Sequence, residues 1–262
     1  MKQGELLIDL NCDVSVAAGY KSASQQARVI SEAWYLKNAY CLACDSDEVK
    51  ATKRNTPAND FVCPKCGHRY ELKAFKRRPR KALNDGAYKT MMEGISAFRA
   101  PTLCLMERTV DWQIRSWSAI HSGFLVPNVI VKRKALSDSA QRKGYVGCTI
   151  RLDQIAPDAE ISVIDKCVIV KVEDVRRRFQ RFNGLGTEPI EQRGWTLLTL
   201  WIVRRLRKAS FTLAEVYQHE AEFAKVYPAN LHIRDKIRQQ LQVLRDLGVL
   251  VFEERGTYRL LS

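Results

Sequence analysis

A mixed α/β domain over residues 1–186 and a small unit of three helices and a β-hairpin over 187–262 are what the sequence predicts. Three observations lead there. Segments with helical spacing, Ser22–Lys37 and Ala87–Phe98, interleave with strand-like runs such as His68–Ala74 and Thr102–Met106, the mixture expected of an α/β core. Phe182–Pro189 then breaks all periodicity with Gly184, Gly186 and Pro189, which reads as a connection between units. Beyond it three helical patterns are followed by two short strands.

Taken in order, Ser22–Lys37 places Ala27, Ile30, Trp34 and Leu36 near one helical face, with Ser22 or Ser24 as its cap. A Cys41-x-x-Cys44 knuckle follows, then a polar stretch from Asp45 to Asn59 that contains Pro57, and a short strand over Asn59–Val62. A second knuckle, Cys63-x-x-Cys66, precedes the alternating run His68–Ala74. Alternation puts Glu71 and Lys73 on one face and Tyr70 and Leu72 on the other. Thr102–Met106 and Phe124–Val126 are predicted as buried strands, and Val146–Leu152 and Ile161–Val172 add β signal.

In the second unit, Trp195–Lys208 carries Leu198, Trp201, Ile202 and Leu206 at helical spacing. Thr212-Leu-Ala-Glu215 is a capping box opening a second helix. His232–Leu247, stopped by Gly248, is the third. Strands Val249–Phe252 and Tyr258–Leu261 close the chain around Glu254-Arg255-Gly256. Three helices and a terminal hairpin make a winged helix-turn-helix, whose third helix is the reader of a DNA groove.

The bulk numbers agree. A formal net charge of +14 over 262 residues makes a polyanion the default partner, because each neutralised phosphate releases a counterion. Four of the eight cysteines lie in the knuckles; Cys12, Cys104, Cys148 and Cys167 are scattered and are expected to be small buried apolar residues. Thiolates held by zinc need reducing conditions, which favours the cytoplasm. Met1–Gly19 lacks the basic-then-apolar pattern of a signal peptide. No uncharged run reaches the ~18 residues of a membrane span. A soluble monomer is expected.

Two motifs carry chemistry. Cys41, Cys44, Cys63 and Cys66, with eighteen residues between the pairs, have the spacing of a closed tetrahedral zinc site with thiolate ligands only. His68 stands close by, but four sulfurs already fill the shell. Interleaved with the second knuckle are Asp60 and Glu71-x-Lys73, the pattern of a divalent-metal nuclease centre. Asp60 and Glu71 offer the hard oxygens that Mg²⁺ prefers, and Lys73 can stabilise charge on phosphorus or assist the attacking water. Glu48-Val49-Lys50 repeats the Glu-x-Lys half, but it lacks an aspartate at suitable spacing and is read as polar loop. Six of the nine residues Lys73–Lys81 are basic, able to grip a backbone beside the scissile phosphate or merely to face solvent. On the third C-terminal helix, Arg234, Lys236, Arg238 and Arg245 alternate with Gln239, Gln240 and Gln242. Gln and Arg pair bidentately with adenine and guanine edges. A zinc-ribbon and winged-helix DNA-binding regulator without nuclease activity is the competing reading, and it has no use for Asp60, Glu71 and Lys73 together.

Cys41-Leu-Ala-Cys44, Asp60 with Cys63–Cys66 and Glu71-Leu-Lys73, Asn84-Asp-Gly-Ala-Tyr-Lys-Thr-Met-Met92 and Ile237-Arg-Gln-Gln-Leu-Gln-Val-Leu-Arg-Asp246 together resemble the DpnI-like methyl-directed restriction endonucleases, from about Lys21 onward. The resemblance implies a PD-(D/E)XK nuclease core with an embedded zinc site, followed by a winged-helix domain. It implies cleavage of double-stranded DNA at GATC bearing N6-methyladenine, with both domains reading the methylated site. By position Asp60, Glu71 and Lys73 would be the catalytic set, with Asp60 and Glu71 holding Mg²⁺, and the four knuckle cysteines would bind structural Zn²⁺. Tyr145 stands where the resembled enzymes carry a tryptophan, and joins Arg234, Lys236, Arg238, Gln239 and Gln242 as an expected DNA contact.

Overall fold

The computed structural model describes residues 7–53 and 59–261; Pro57, expected in the polar stretch between the knuckles, lies outside them. In chain order the first part runs α1 (Ala23–Asn38), β1 (Lys50–Ala51), β2 (Phe61–Val62), β3 (Arg69–Phe75), β4 (Leu83–Ala87), α2 (Tyr88–Ser96), β5 (Thr102–Arg108), β6 (Ile114–Ile120), β7 (Ile130–Lys132), β8 (Gly147–Ile150), β9 (Glu160–Asp165), β10 (Val168–Ile169) and α3 (Val172–Gln180). Strands β1-β2-β3-β5-β6-β9-β10 form one sheet, and β4-β8-β7 a second, smaller one. Among the described residues, only β3 and β5 of the large sheet pair in parallel, with Glu71 opposite Leu103 and Lys73 opposite Leu105.

The central strand β5 is apolar on both faces because both are covered. Leu103 and Leu105 join one buried cluster with Met91 and Ile95 of α2. Cys104 and Met106 join another with Trp34 and Tyr35 of α1 and Val175 and Phe179 of α3. Glu71 and Lys73 therefore sit on the α2 side, level with Leu103 and Leu105, while Tyr70 anchors the opposite core at 0 % exposure.

The second part runs α4 (Ile190–Arg205), β11 (Ser210–Thr212), α5 (Leu213–Tyr217), α6 (Glu220–Val226), α7 (Ile233–Asp246), β12 (Leu250–Glu254) and β13 (Thr257–Leu260). The Thr212–Glu215 capping box is formed in both directions. Gly248, at φ 66°, ends α7 in the left-handed conformation glycine tolerates best. A third strand, β11, pairs with β13 and widens the hairpin into a wing of order β11-β13-β12.

Several expectations are corrected. Phe124–Val126 is buried but not a strand: 3₁₀ turns at Ser122–Phe124 and Pro127–Val129 flank it. The His121 ring nitrogen accepts from the Gly123 N–H and Pro127 has no N–H to give a ladder. Ile161–Val172 is not one stretch of β. A two-residue turn, Lys166 and Cys167 at φ 48° and 65°, folds β10 back on β9, and Val172 opens α3. That turn leaves Cys167 exposed, and Cys12 is half-buried; Cys104 and Cys148 are buried as expected. Leu36 is 40 % exposed, off the buried face made by Ile30, Trp34 and Tyr35. Of the repeated Glu-x-Lys, Glu48 and Val49 lie in irregular chain as expected, and only Lys50 enters a strand, the two-residue edge strand β1, opposite Val62 of β2.

Helix α4 starts at Ile190, earlier than its apolar spacing suggested, and is buried on nearly every side. It is fastened to the first part at several points. Arg204 grips Asp158 with both nitrogens, at 2.8 and 2.5 Å. Trp201 Nε1 donates to the Asp153 carbonyl at 2.9 Å. Leu185, in the segment read as a connection, is 2 % exposed and shares an apolar cluster with Phe124 and Trp195.

Candidate functional site

The second knuckle is the turn of the β2–β3 hairpin. Cys63 N–H donates to the His68 carbonyl at 2.8 Å and Gly67 N–H to the Cys63 carbonyl at 3.0 Å, with Gly67 at φ 72°. The first knuckle is pinned against β3 by the Tyr70 hydroxyl, which accepts from the Leu42 N–H at 2.9 Å and lies 3.2 Å from Cys41 Sγ. All four sulfurs lie within 4.8 Å of one another. Cys41–Cys66 and Cys44–Cys63 are each 3.6 Å apart, close to the ~3.8 Å that tetrahedral Zn–S bonds of ~2.3 Å require. The Lys65 and Cys66 amides point at Cys63 Sγ, each at 3.4 Å. Burial opposes ionisation of that thiol, but these amides together with the neighbouring Cys41 and Cys66 thiols outweigh it and bring its pKa down to about 6. The cluster fits zinc. His68 turns away from it and hydrogen-bonds Thr102 Oγ1 at 2.8 Å.

Asp60 sits at the entrance of β2, held by its own N–H to the Tyr70 carbonyl and by Thr52 N–H to its carbonyl, both 2.9 Å. Continuing the register past the Phe61–Tyr70 pair brings Asp60 beside Glu71. Asp60 Oδ2 accepts from the Leu72 N–H at 2.9 Å. Glu71 Oε1 receives Lys73 Nζ at 2.6 Å. The same ammonium donates to Asp85 Oδ1, also at 2.6 Å.

The electrostatics of this group follow from its burial. Glu71 and Lys73 side chains are 13 % and 22 % exposed, and Asp85 is 1 % exposed. Desolvation pushes Glu71 up to about 7, with the Asp85 charge adding to the rise and Lys73 opposing it. Desolvation works against the Lys73 ammonium too, but two carboxylates more than restore it, and its pKa lies above the usual lysine value. Glu71 Oε2 and Asp85 Oδ2 are buried without a hydrogen-bond partner. A buried, unpaired carboxylate oxygen on Glu71 beside Asp60 is the kind of hard donor set that suits Mg²⁺.

Residues 8–188 match the DpnI family, described as the Dam-replacing family, and residues 191–260 match its C-terminal Dam-replacing HTH domain. The chain belongs to the DpnI family. Membership supports a methyl-dependent restriction enzyme, and the HTH match points to DNA as partner. Among the described residues no helix is long and apolar enough to cross a membrane.

In this DpnI-family chain, α7 presents Arg234, Arg238, Gln239 and Gln242 to solvent, while Lys236 is half-buried. Arg234 is engaged with Glu220 at 2.9 Å, and both Arg234 and Arg238 lie over the Tyr217 ring, at 5.1 and 6.0 Å. Gln240 is not on that face: it is fully buried and accepts from Thr196 Oγ1 at 2.7 Å. Tyr145 is half-buried at the end of a loop whose Leu136 N–H donates to its carbonyl at 2.9 Å. In the basic run Lys76, Arg77, Arg80 and Lys81 are exposed, but Arg78 is spent internally. It grips Glu160 with both terminal nitrogens and donates to Ser118 Oγ at 2.9 Å.

Asp85 is the residue that the spacing argument missed. It belongs to no Asp-Glu-x-Lys pattern, and only the pairing of β4 with β8 swings it over β3. Leu231, 88 % exposed just before α7, was also passed over, since a lone leucine outside a periodic segment gives no signal.

Proposed function

We propose that this protein hydrolyses double-stranded DNA at GATC sites containing N6-methyladenine, with Mg²⁺ held by Asp60 and Glu71 and with Lys73 completing the catalytic set in a PD-(D/E)XK core. The observation that carries the reading is the convergence of Asp60, Glu71 and Lys73 on one hairpin whose turn is the cysteine knuckle. The competing regulator reading leaves that convergence without a purpose. The four thiolates suit a reducing compartment, hence the cytoplasm. The boundary is taken at 186/187, and a monomer as the active form.

Asp60 and Glu71 would hold the divalent cation, which would supply Lewis-acid stabilisation of charge developing on the phosphate. The chain does the rest. The Leu72 N–H orients Asp60 by occupying one of its oxygens. Lys73 keeps an ammonium in a largely dry site, where it is worth more against charge developing on phosphate than it would be in water. Exposed Lys76, Arg77, Arg80 and Lys81 follow β3 directly and can hold the DNA backbone. Arg238, Gln239 and Gln242 face outward for base edges, and Leu231 offers an apolar contact suited to a methyl group.

Dialysis into Mg²⁺-free buffer followed by Mg²⁺ titration tests the metal's part without touching the thiolate site: cleavage is expected to vanish and return, and cutting that persists without added divalent cation would contradict it. The pH dependence follows from Glu71. Its proton must leave before the carboxylate can bind metal, and its pKa of about 7 puts that loss in reach. Calcium affinity measured by calorimetry at pH 6, 7 and 8 is expected to rise with pH and then level off above about 7. A flat profile would remove Glu71 from the ligand set.

The reader helix has its own test. Arg238→Ala or Gln239→Ala is expected to weaken binding to the methylated site by roughly 1–3 kcal/mol if the side chain meets a base edge. Lys236→Ala is expected to weaken all duplexes equally and to flatten the salt dependence, as phosphate contacts do. Fluorescence anisotropy at two salt concentrations separates the two patterns.

A further inference from the structure

We propose that Asp85 is the positioning residue for Lys73: it keeps the ammonium at the nuclease centre when Glu71 is committed to a metal ion. The inference rests on the nuclease reading and adds a residue that the Asp-Glu-x-Lys pattern does not contain.

Lys73 Nζ donates to Glu71 and to Asp85 at the same 2.6 Å. The two acceptors come from different sheets, Glu71 from β3 and Asp85 from β4, so the ammonium is clamped between them. Asp85 is the better fixed of the two. Its side chain is 1 % exposed, its Oδ1 also accepts from the Gly86 N–H at 2.7 Å, and its backbone pairs with Cys148 of β8. Burial opposes its ionisation, but Lys73 outweighs that and holds its pKa below the usual carboxylate value.

A lysine ammonium has three donors on a flexible stem. Two are taken by carboxylates here and the third is left for the reacting phosphate. Glu71 cannot give its charge fully to a dication and remain an equal partner of Lys73. The cation also repels the ammonium directly. Without a second carboxylate, metal binding would release Lys73 from the place where it is needed; with Asp85 in place, Glu71 can turn to the metal while Lys73 stays. The end of the Tyr145 loop is held next to β4, by the first residue of α2, through Tyr88 N–H to the Val146 carbonyl at 3.0 Å. Asp85 thus joins the lysine to the element expected to touch the base.

The test uses the full chain labelled with ¹⁵N-lysine. A hydrogen-bonded ammonium shielded from solvent gives its own ¹⁵N–¹H correlation, assigned to Lys73 by its absence in Lys73→Gln. With methylated duplex and Ca²⁺ present, the wild type is expected to keep this signal and Asp85→Asn to lose it. At saturating Mg²⁺, Asp85→Asn is expected to lower kcat about 100-fold with KM nearly unchanged. In a Lys73→Gln background the same change should cost less than about 3-fold, because a residue that acts through another has no effect once that other is gone. Asp85→Ser is read in parallel so that a folding defect in one variant does not decide the matter. A Lys73 signal that survives in the Asp85 variants, or an equal kcat loss in both backgrounds, overturns the proposal. Wild-type cleavage by Lys73→Gln alone would instead sink the nuclease reading itself.

Discussion

Glu71→Ala is expected to lower cleavage of methylated DNA by roughly three orders of magnitude, the scale set by losing a charge-stabilising group at a phosphoryl centre. Binding to the same duplex in Ca²⁺ should change little, since the carboxylate serves the metal and not the bases. Asp60→Ala should behave alike, with one difference. Asp60 also caps the Leu72 N–H, so its removal leaves a backbone donor without its partner and should cost about 1–3 kcal/mol of stability as well. Single-turnover cleavage and thermal melting of the two variants separate chemistry from folding. Either variant turning over at the wild-type rate would mean that the centre lies elsewhere.

Loss of the knuckle is the second large effect. Cys63→Ser, or zinc removal by a strong chelator, is expected to lower the melting temperature by roughly 10 °C or more. Structural zinc contributes its binding energy to folding, and each kcal/mol is worth about 2–4 °C in a chain of this size. Activity should fall with stability, because the turn that the thiolates close sits between Asp60 and Glu71 on the same hairpin. Metal analysis beside calorimetry checks this. One equivalent of zinc whose loss left both melting and cleavage unchanged would remove the structural role.

What could be read from residues alone has a physical pattern. The β3 strand was legible because its alternation is local: Tyr70 and Leu72 go to one core, Glu71 and Lys73 to the other side. The knuckles were legible because metal ligands must obey spacing, and the capping box at Thr212 because it spans a single turn. Contacts made by tertiary pairing were not. Asp85 reaches Lys73 through a bulged β4–β8 pairing, which no window of sequence contains. Gln240 looks like a groove reader by composition, yet the 3.6-residue period turns it onto Thr196. Arg78 reads as part of a basic run until Glu160 arrives from β9. Phe124–Val126 has the composition of a strand, and only Gly123 and Pro127 on its flanks argue otherwise. The apolar spacing of α4 was legible in part: Leu198 and Ile202 are buried, and Trp201 and Leu206 pack against the same cluster. Trp195, Leu197 and Leu200 are buried as well, so more of the helix is covered than one stripe implies.

Methyl-directed cleavage is the central claim, and a pair of plasmids tests it most directly. The same plasmid is prepared from an adenine-methylating host and from a host that lacks this methylation, then incubated with the full chain in Mg²⁺. Apolar contact with one methyl supports discrimination of about 1–2 kcal/mol per reading site, and two readers in one chain would compound it. The account predicts fragments ending at GATC from the methylated plasmid and intact circles from the other; equal cutting of both, or of neither, would contradict it.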